Sequence, residues 1–386
     1  MENTLENMKQ RKVNYQFKVL YAIGIFFVVA GHARADDFIF WNELIHVAGF
    51  HMALFVFASG YFYSAGSEET PGAYIVKKTK RLLVPYLLWN LFYGILVWIL
   101  FKCGYTIGIN SPEKPVIWQQ FFYDPFTVGP HFSFNVPSWF VLPLFVTEVL
   151  NVLIRFPFRK IKGFWKETVF LALSILTGFA GIIVANKGYN HDFGLLLTRV
   201  MYFTPFFTLG YFYKLYLEKK DTLSSFWYFT IIVLIEILYI LVNGASPVYS
   251  IIGMYNFENP FLPYFMGLVG IAFWLRVSRI LAPAIGKSKY LNAVADNTFS
   301  IMTNHELGFF VLNTLFYIAI SVTHISSLKF DVEKYKSAVE YIFLPRGRGF
   351  PLVYVVFGIC FSILLQKLIV FIKDTALSKI GDKNGR

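Results

Sequence analysis

The chain has 386 residues, of which 56% are hydrophobic and only 15% are charged, and its formal net charge is +12. A soluble globular protein carries about 25% charged residues, so this composition excludes a soluble enzyme. The basic residues lie between apolar runs, which indicates membrane orientation and contact with anionic lipid and excludes a nucleic-acid partner.

Apolar runs follow one another along the whole chain. A membrane-spanning helix needs about 20 such residues. Ten segments approach that length: 17–35, 42–63, 82–103, 138–154, 168–186, 196–216, 225–243, 260–278, 297–321 and 351–373. We therefore predict an all-α integral membrane protein, a bundle of about ten transmembrane helices.

The basic residues also predict how these helices are oriented. Most of the 35 Lys and Arg residues fall in alternate loops, on the side that includes the N-terminus. Cytoplasmic loops carry such an excess, so we predict that both termini are cytoplasmic. The N-terminal stretch is polar and of mixed charge, unlike a signal peptide. The expected division is a cytoplasmic tail 1–16, a membrane domain 17–374 and a cytoplasmic tail 375–386.

Several ionisable residues fall inside the predicted spans. They are His32 near the outer end of the first span, His51 in the second, Arg199 in the sixth, and His305 with Glu306 in the ninth. Such groups are unfavourable in lipid and usually face a functional cavity. The other four histidines, His46, His131, His191 and His324, are expected to be interface residues.

A metal site is not expected from these patterns. His305-Glu306 resembles the start of a zinc-protease motif, but position 309 is not a histidine. No metal-ligand spacing occurs elsewhere. The two cysteines, Cys103 and Cys360, provide neither a zinc motif nor a disulfide framework.

Six segments carry a further pattern, in chain order: AIGIFFVVAGH at 22–32, GFHMALFVFASGYF at 49–62, KRLLVPY at 80–86, SWFVL at 138–142, PFFTLGY at 205–211 and NTFSIMTNH at 297–305. The ordered set resembles the acyltransferase-3 family of bacterial membrane proteins and covers most of the chain. One departure is Tyr21, which stands where that family usually has Arg or Lys. Lys18 lies about one turn further from His32 on a similar face of the helix.

The resemblance implies a membrane-bound O-acyltransferase of the bacterial inner membrane, similar to the branch that modifies capsular or exopolysaccharide. The donor would be acyl-CoA, with acetyl-CoA expected first. The acceptor would be a hydroxyl of a cell-surface polysaccharide or of its lipid-linked precursor. No permanently bound cofactor is expected. His32 suits the role of base or acyl carrier, with His51, His305 and Glu306 as further catalytic candidates and Glu43 as a weaker one to orient His32.

Two groups of residues are candidates for binding the substrates. Because the phosphates of the donor are anionic, we expect basic residues at the cytoplasmic face to bind them. The candidates are Lys18, Lys77, Lys78, Lys80 and Arg81. The pantetheine arm would then reach up between the helices. A second group of residues is expected to bind the acceptor, namely Arg199, Trp139, Arg346 and Arg348. Either group of basic residues could instead serve only orientation or contact with lipid headgroups.

A different class of function also fits ten helices with buried ionisable groups. A polytopic transporter or exporter of a glycan or small molecule would share this hydropathy. Against it, the two halves of the chain lack a matching pair of spans broken by Gly or Pro. A membrane scaffold without activity would leave His32, His51, Arg199 and His305 unexplained.

Overall fold

The structure, a computed structural model, describes residues 13–35, 47–107, 118–129, 132–244, 249–324, 328–345 and 350–384. Ten long helices lie within these ranges: α1 Tyr15–His32, α2 Val47–Tyr61, α3 Pro71–Lys102, α4 Phe134–Phe158, α5 Phe164–Asn186, α6 Asp192–Lys220, α7 Ser225–Asn243, α8 Leu262–Ile285, α9 Thr298–Thr323 and α10 Pro351–Asn384. Shorter helices at Trp118–Phe122, Lys289–Asp296 and Val332–Ser337 lie between them.

Nine of these described helices are long and apolar enough to cross a membrane, and α2 is a shorter apolar helix. The prediction of an all-helical, multi-pass membrane protein is thereby confirmed. Residues 42–46 of the predicted second span lie outside the described residues. The cytoplasmic placement of the termini stays a prediction.

Two helices extend furthest beyond the spans that hydropathy predicts. The third begins at Pro71 rather than at 82, because Pro is favourable in the first turn of a helix and the basic residues that follow are good helix formers. α10 continues to Asn384, through the predicted tail 375–386. Hydropathy therefore finds the apolar part of each helix and misses its charged extension.

Contacts between helix termini define two ends of the bundle. At one end Lys18 on α1 pairs with Asp296, and Tyr61 at the end of α2 bonds Glu218 of α6 at 2.9 Å. We call this the basic end. The opposite end, where α1 finishes at His32, is called the His32 end.

A buried charge cluster fastens the basic end. Arg155 at the end of α4 is 1% exposed, and its Nη1 lies 2.7 Å from Glu167 on α5 and 3.7 Å from Glu68. Lys166 Nζ lies 3.0 Å from the other oxygen of Glu68. The Arg155 guanidinium also lies over the ring of Phe170, at 4.4 Å. Two cations and two carboxylates thus balance one another, and we call them the Arg155 cluster.

Glycines set the closest helix contacts. A Cβ built on Gly60 of α2 would lie 1.9 Å from the carbonyl oxygen of Phe207 on α6, so no larger residue fits there. On the other side of the bundle, a Cβ on Gly308 of α9 would lie 3.1 Å from Gly358 Cα on α10. Small residues let membrane helices approach closely, and here Gly308 and Gly358 allow α9 and α10 to pack in close contact.

Candidate active site

Three of the four predicted catalytic residues meet at the His32 end. His32 is the last residue of α1, and its Nδ1 lies 2.8 Å from Glu306 Oε1 on α9. The His32 and His305 ring centroids are 5.1 Å apart. One donor atom from each of these three residues lies within 4.8 Å of the other two. We call this group the His32 cluster.

The buried part of the cluster has a defined orientation. His305 is 0% exposed, and its Nδ1 lies 2.7 Å from the carbonyl oxygen of Ile301 one turn earlier. A carbonyl can only accept, so Nδ1 carries the proton and Nε2 presents a lone pair. His305 Nε2 and Glu306 Oε2 are both buried and have no hydrogen-bond partner among the described residues. The cluster therefore presents two buried acceptor atoms.

A hydrogen-bond network behind the cluster fixes this part of α9. Tyr93 of α3 donates to Asn304 Oδ1 at 2.7 Å, and its hydroxyl is also 2.9 Å from the Thr303 carbonyl. Asn304 Nδ2 in turn donates to the Ser300 carbonyl at 2.9 Å. All three α9 residues are buried. The side chains that follow Asn304 are thus presented from a rigid segment.

Open space lies beside His32. Gly31 is exposed, and a Cβ built on it would meet no described atom within 4 Å. The His32 side chain is 39% exposed, whereas Glu306 is at 9%. One turn earlier on α1, Val28 is buried and lines an apolar cavity. Among the described residues, the cluster is thus exposed on the side of His32 and buried on the side of α9.

A large cavity of about 650 Å³ opens at the basic end. Four of the five predicted donor-binding residues line it, namely Lys18, Lys77, Lys78 and Arg81, and Lys80 is not part of the lining. Lys18 pairs with Asp296, and Lys78 Nζ lies 2.6 Å from Glu148, which is 1% exposed. Lys77 and Arg81 are exposed.

Tyr63 contributes a further polar group to this basic cavity. Its hydroxyl is buried and has no hydrogen-bond partner among the described residues. Burial, and secondarily the nearby Glu68 carboxylate, raises the pKa of Tyr63 above its ordinary value. The phenol therefore stays neutral and adds no negative charge to the cavity.

A second, apolar cavity of about 140 Å³ lies between the two ends of the bundle. Tyr21 and Ser59 line both this cavity and the basic one. Its lining also includes Val28 and Met302, each one turn before a member of the His32 cluster. At 1.5 Å per residue, α1 rises about 21 Å from Lys18 to His32. The two cavities together follow that path as far as Val28, one turn before His32.

The other predicted site residues lie elsewhere. His51 on α2 is half-buried and lies outside the three-residue cluster that the described part of the chain forms. Arg199 is 2% exposed and donates to the carbonyls of Val128, at 2.8 Å, and Ile252. Its guanidinium lies 4.8 Å from the Trp139 ring, and these contacts tie three segments together. Arg346, Arg348 and Glu43 lie outside the described residues.

Glu148 was not among the predicted site residues. It is a carboxylate within an apolar span, which is unfavourable unless paired. Packing of α3 against α4 brings Lys78 to it. The pair places one charge-neutral contact in the wall of the basic cavity, whereas Lys77 and Arg81 form no ion pair with the described residues.

Comparison with known proteins identifies the family. A family model described as an acyltransferase domain, that of the acyltransferase-3 family, matches residues 14–370. No curated protein and no solved structure matches the chain. Because the family model covers far more than half of the residues, the chain belongs to this acyltransferase family. It is a multi-pass membrane acyltransferase.

Proposed function

We propose that the chain transfers an acyl group, acetyl in the first instance, from acyl-CoA to a hydroxyl of a cell-surface polysaccharide or of its lipid-linked precursor. One observation carries this proposal: the 2.8 Å contact between His32 and Glu306 beside open space, at the far end of a path from a basic cavity. A base oriented by a carboxylate is what attack by a hydroxyl requires.

The donor would bind at the basic end. Lys77 and Arg81 would hold the phosphates of acyl-CoA, because both are exposed cations that line the basic cavity. The pantetheine arm is narrow and mostly uncharged, so it suits the apolar cavity between Tyr21 and Met302. The thioester would then lie next to the His32 cluster. The acyl group crosses most of the bundle in this way without release of the donor.

The chemistry follows from the orientation of His32. Its Nδ1 faces a carboxylate, so Nδ1–H donates to Glu306 and Nε2 is the nitrogen that acts as base. The acceptor oxygen attacks the thioester carbonyl, His32 takes the hydroxyl proton, and the C–S bond breaks. The thiolate then recovers that proton to leave as free CoA. Glu306 stabilises the imidazolium that forms in between.

The experiment uses the full chain reconstituted in liposomes with acetyl-CoA and a polysaccharide acceptor. Free thiol and ester-linked acetyl are measured for the native protein, for His32→Ala and for His191→Ala, whose histidine is exposed and outside the cluster. We expect thiol and ester to appear together in the native protein and the His191 variant, and neither with His32→Ala. Transport of glycan without ester formation would establish an exporter and overturn the proposal.

The host cell provides the companion measurement. Surface polysaccharide should lose its acyl esters when His32→Ala replaces the native protein at equal membrane levels, while the amount and length of the glycan hold steady. Acid-quenched protein incubated with labelled acetyl-CoA separates the two roles left to His32. A label that stays on the native chain and is absent from His32→Ala indicates an acyl carrier, and no label indicates a base.

A further inference from the structure

The His32 cluster contains a donor set that proton transfer alone does not use. Base catalysis needs His32 and an orienting carboxylate. The structure adds His305, whose lone pair at Nε2 is buried with no partner among the described residues, and a second oxygen of Glu306 in the same state. Buried polar atoms in native proteins are nearly always bonded, and these two acceptors at one place provide ligand atoms for an electrophile.

The charge of the cluster also favours binding of a cation. With both imidazoles neutral, the three residues carry the single negative charge of Glu306. Within the described residues, its one ionic contact is with His32. The Glu306 side chain is only 9% exposed, and a buried carboxylate without a cation is strongly unfavourable. A bound cation would complete the balance that Lys166 and Arg155 provide in the Arg155 cluster.

We propose that His32, His305 and Glu306 form a binding site for a divalent transition metal ion, with Zn²⁺ the best match. Two imidazole nitrogens and one carboxylate oxygen are a ligand set that zinc takes in proteins, with the fourth position open. The hydrogen bond from His305 Nδ1 to the Ile301 carbonyl is the outer contact that typically fixes a ligating histidine. The fourth position would be open to solvent on the side of His32, whose side chain is 39% exposed.

The geometry needs only a small rearrangement, in which His32 Nδ1 and Glu306 Oε1, now 2.8 Å apart, separate slightly and the wider separations close. Ligand bonds of about 2.0–2.2 Å place donor atoms about 3.3 Å apart around a tetrahedral ion. The three donor atoms already lie within 4.8 Å of one another. His305 is held rigidly from behind, whereas His32 is the last residue of α1 and partly exposed. Rotation of the His32 side chain therefore closes the site without movement of either helix.

Metal binding has a consequence for catalysis, which rests on the proposed function. A metal ion bound by the cluster occupies lone pairs of His32 and Glu306 that proton transfer requires. Zn²⁺ should therefore inhibit acyl transfer, and a chelator should restore it. The binding of metal itself does not depend on what reaction the protein performs.

The test is made on purified full-length protein in lipid nanodiscs, stripped with a chelator. Zn²⁺ is titrated in competition with a chromophoric zinc indicator, and Co²⁺ is added separately to record the visible absorption of a tetrahedral site. The variants are His32→Ala and Glu306→Gln, with His191→Ala and His324→Ala as controls because both histidines are exposed. Thermal unfolding of each variant confirms that it is folded, which is why buried His305 is not the primary variant.

We expect saturable zinc binding in the native protein and both controls, and affinity at least tenfold weaker in His32→Ala and Glu306→Gln, with loss of the cobalt absorption. Equal zinc affinity in the native protein and folded His32→Ala would overturn the site. If acyl transfer proceeds but zinc binds no better than to His32→Ala, only this inference fails. If zinc binds as expected and no acyl transfer occurs, only the proposed function fails.

Discussion

Two polar clusters occupy opposite ends of the same bundle, and they differ in charge balance. The Arg155 cluster pairs two cations with two carboxylates and stacks its guanidinium on aromatic rings. The His32 cluster sets one carboxylate against two imidazoles beside open space. Arg155 Nη2 also lacks a hydrogen bond, so charge balance and access distinguish the clusters better than hydrogen bonding. We interpret the balanced, closed cluster as structural and the unbalanced, open one as functional.

The largest effect should come from Glu306→Gln, which keeps the shape of the side chain and removes its charge. We expect kcat for acyl transfer to fall by about 10²- to 10⁴-fold, the range that positioned acid–base groups contribute, because the imidazolium of His32 loses its stabilising carboxylate. Steady-state thiol release measures this. Glu340→Gln is the control, since that exposed carboxylate lies at the same end. A kcat within a fewfold of the native value would contradict the functional interpretation of the cluster.

The next effect concerns stability at the other cluster. Arg155→Met leaves Glu167 and Glu68 buried without their shared cation, and breaking a buried pair in this way lowers the free energy of unfolding by about 3–5 kcal/mol. Denaturation in detergent micelles, followed by helix content, measures the loss. Arg159→Met is matched to it: its ion pair with Glu69 is 3.7 Å long and largely exposed, so we expect at most about 1 kcal/mol. An equal loss of unfolding free energy in both variants would contradict the structural interpretation of the Arg155 cluster.

The sequence predicted the helices well and the site only in parts, for a physical reason. Long apolar runs report burial in lipid directly, so all ten helices could be located from hydropathy. His305 and Glu306 are neighbours on one helix and were recognised together. Their contact with His32 depends on how α1 packs against α9, and no spacing within a single segment encodes that. The prediction that no metal site exists used such spacing alone, and it stays untested.

The sequence also did not predict which basic residues form ion pairs. In the sequence, one group of basic residues cannot be subdivided: Lys18, Lys77, Lys78, Lys80 and Arg81. Only the packed helices distinguish Lys78, paired with Glu148, from the exposed Lys77 and Arg81 and from Lys80 outside the cavity. Arg199 was likewise predicted to bind the acceptor, whereas its guanidinium donates to two loop carbonyls in the structure. Its contact with acceptor stays a prediction.

Those distinctions give a third prediction, at the basic cavity. The double variant Lys77→Ala/Arg81→Ala should raise KM for acyl-CoA about tenfold, equivalent to about 1.4 kcal/mol, with kcat unchanged. The reason is that these two exposed cations contact the phosphates and not the thioester. Initial rates at varied donor concentration separate the two constants. Lys80→Ala, on the same helical turn but outside the cavity lining, should leave both constants unchanged, and an equal rise in KM would show that general positive charge suffices.

The smallest effect, and the one that best isolates access, comes from Gly31. Gly31→Ala should raise the free energy of unfolding by at most about 1 kcal/mol, because Ala is the better helix former and its methyl group meets no described atom. Gly72→Ala is matched to it, since Gly72 also lies in a helix with open space at its Cβ. Acyl transfer to polysaccharide should fall a fewfold with Gly31→Ala and not with Gly72→Ala, while hydrolysis of acyl-CoA by water is unchanged in both. Equal transfer by the two variants would mean that the acceptor does not approach His32 past Gly31, and the open side of the cluster would then lose its assigned role.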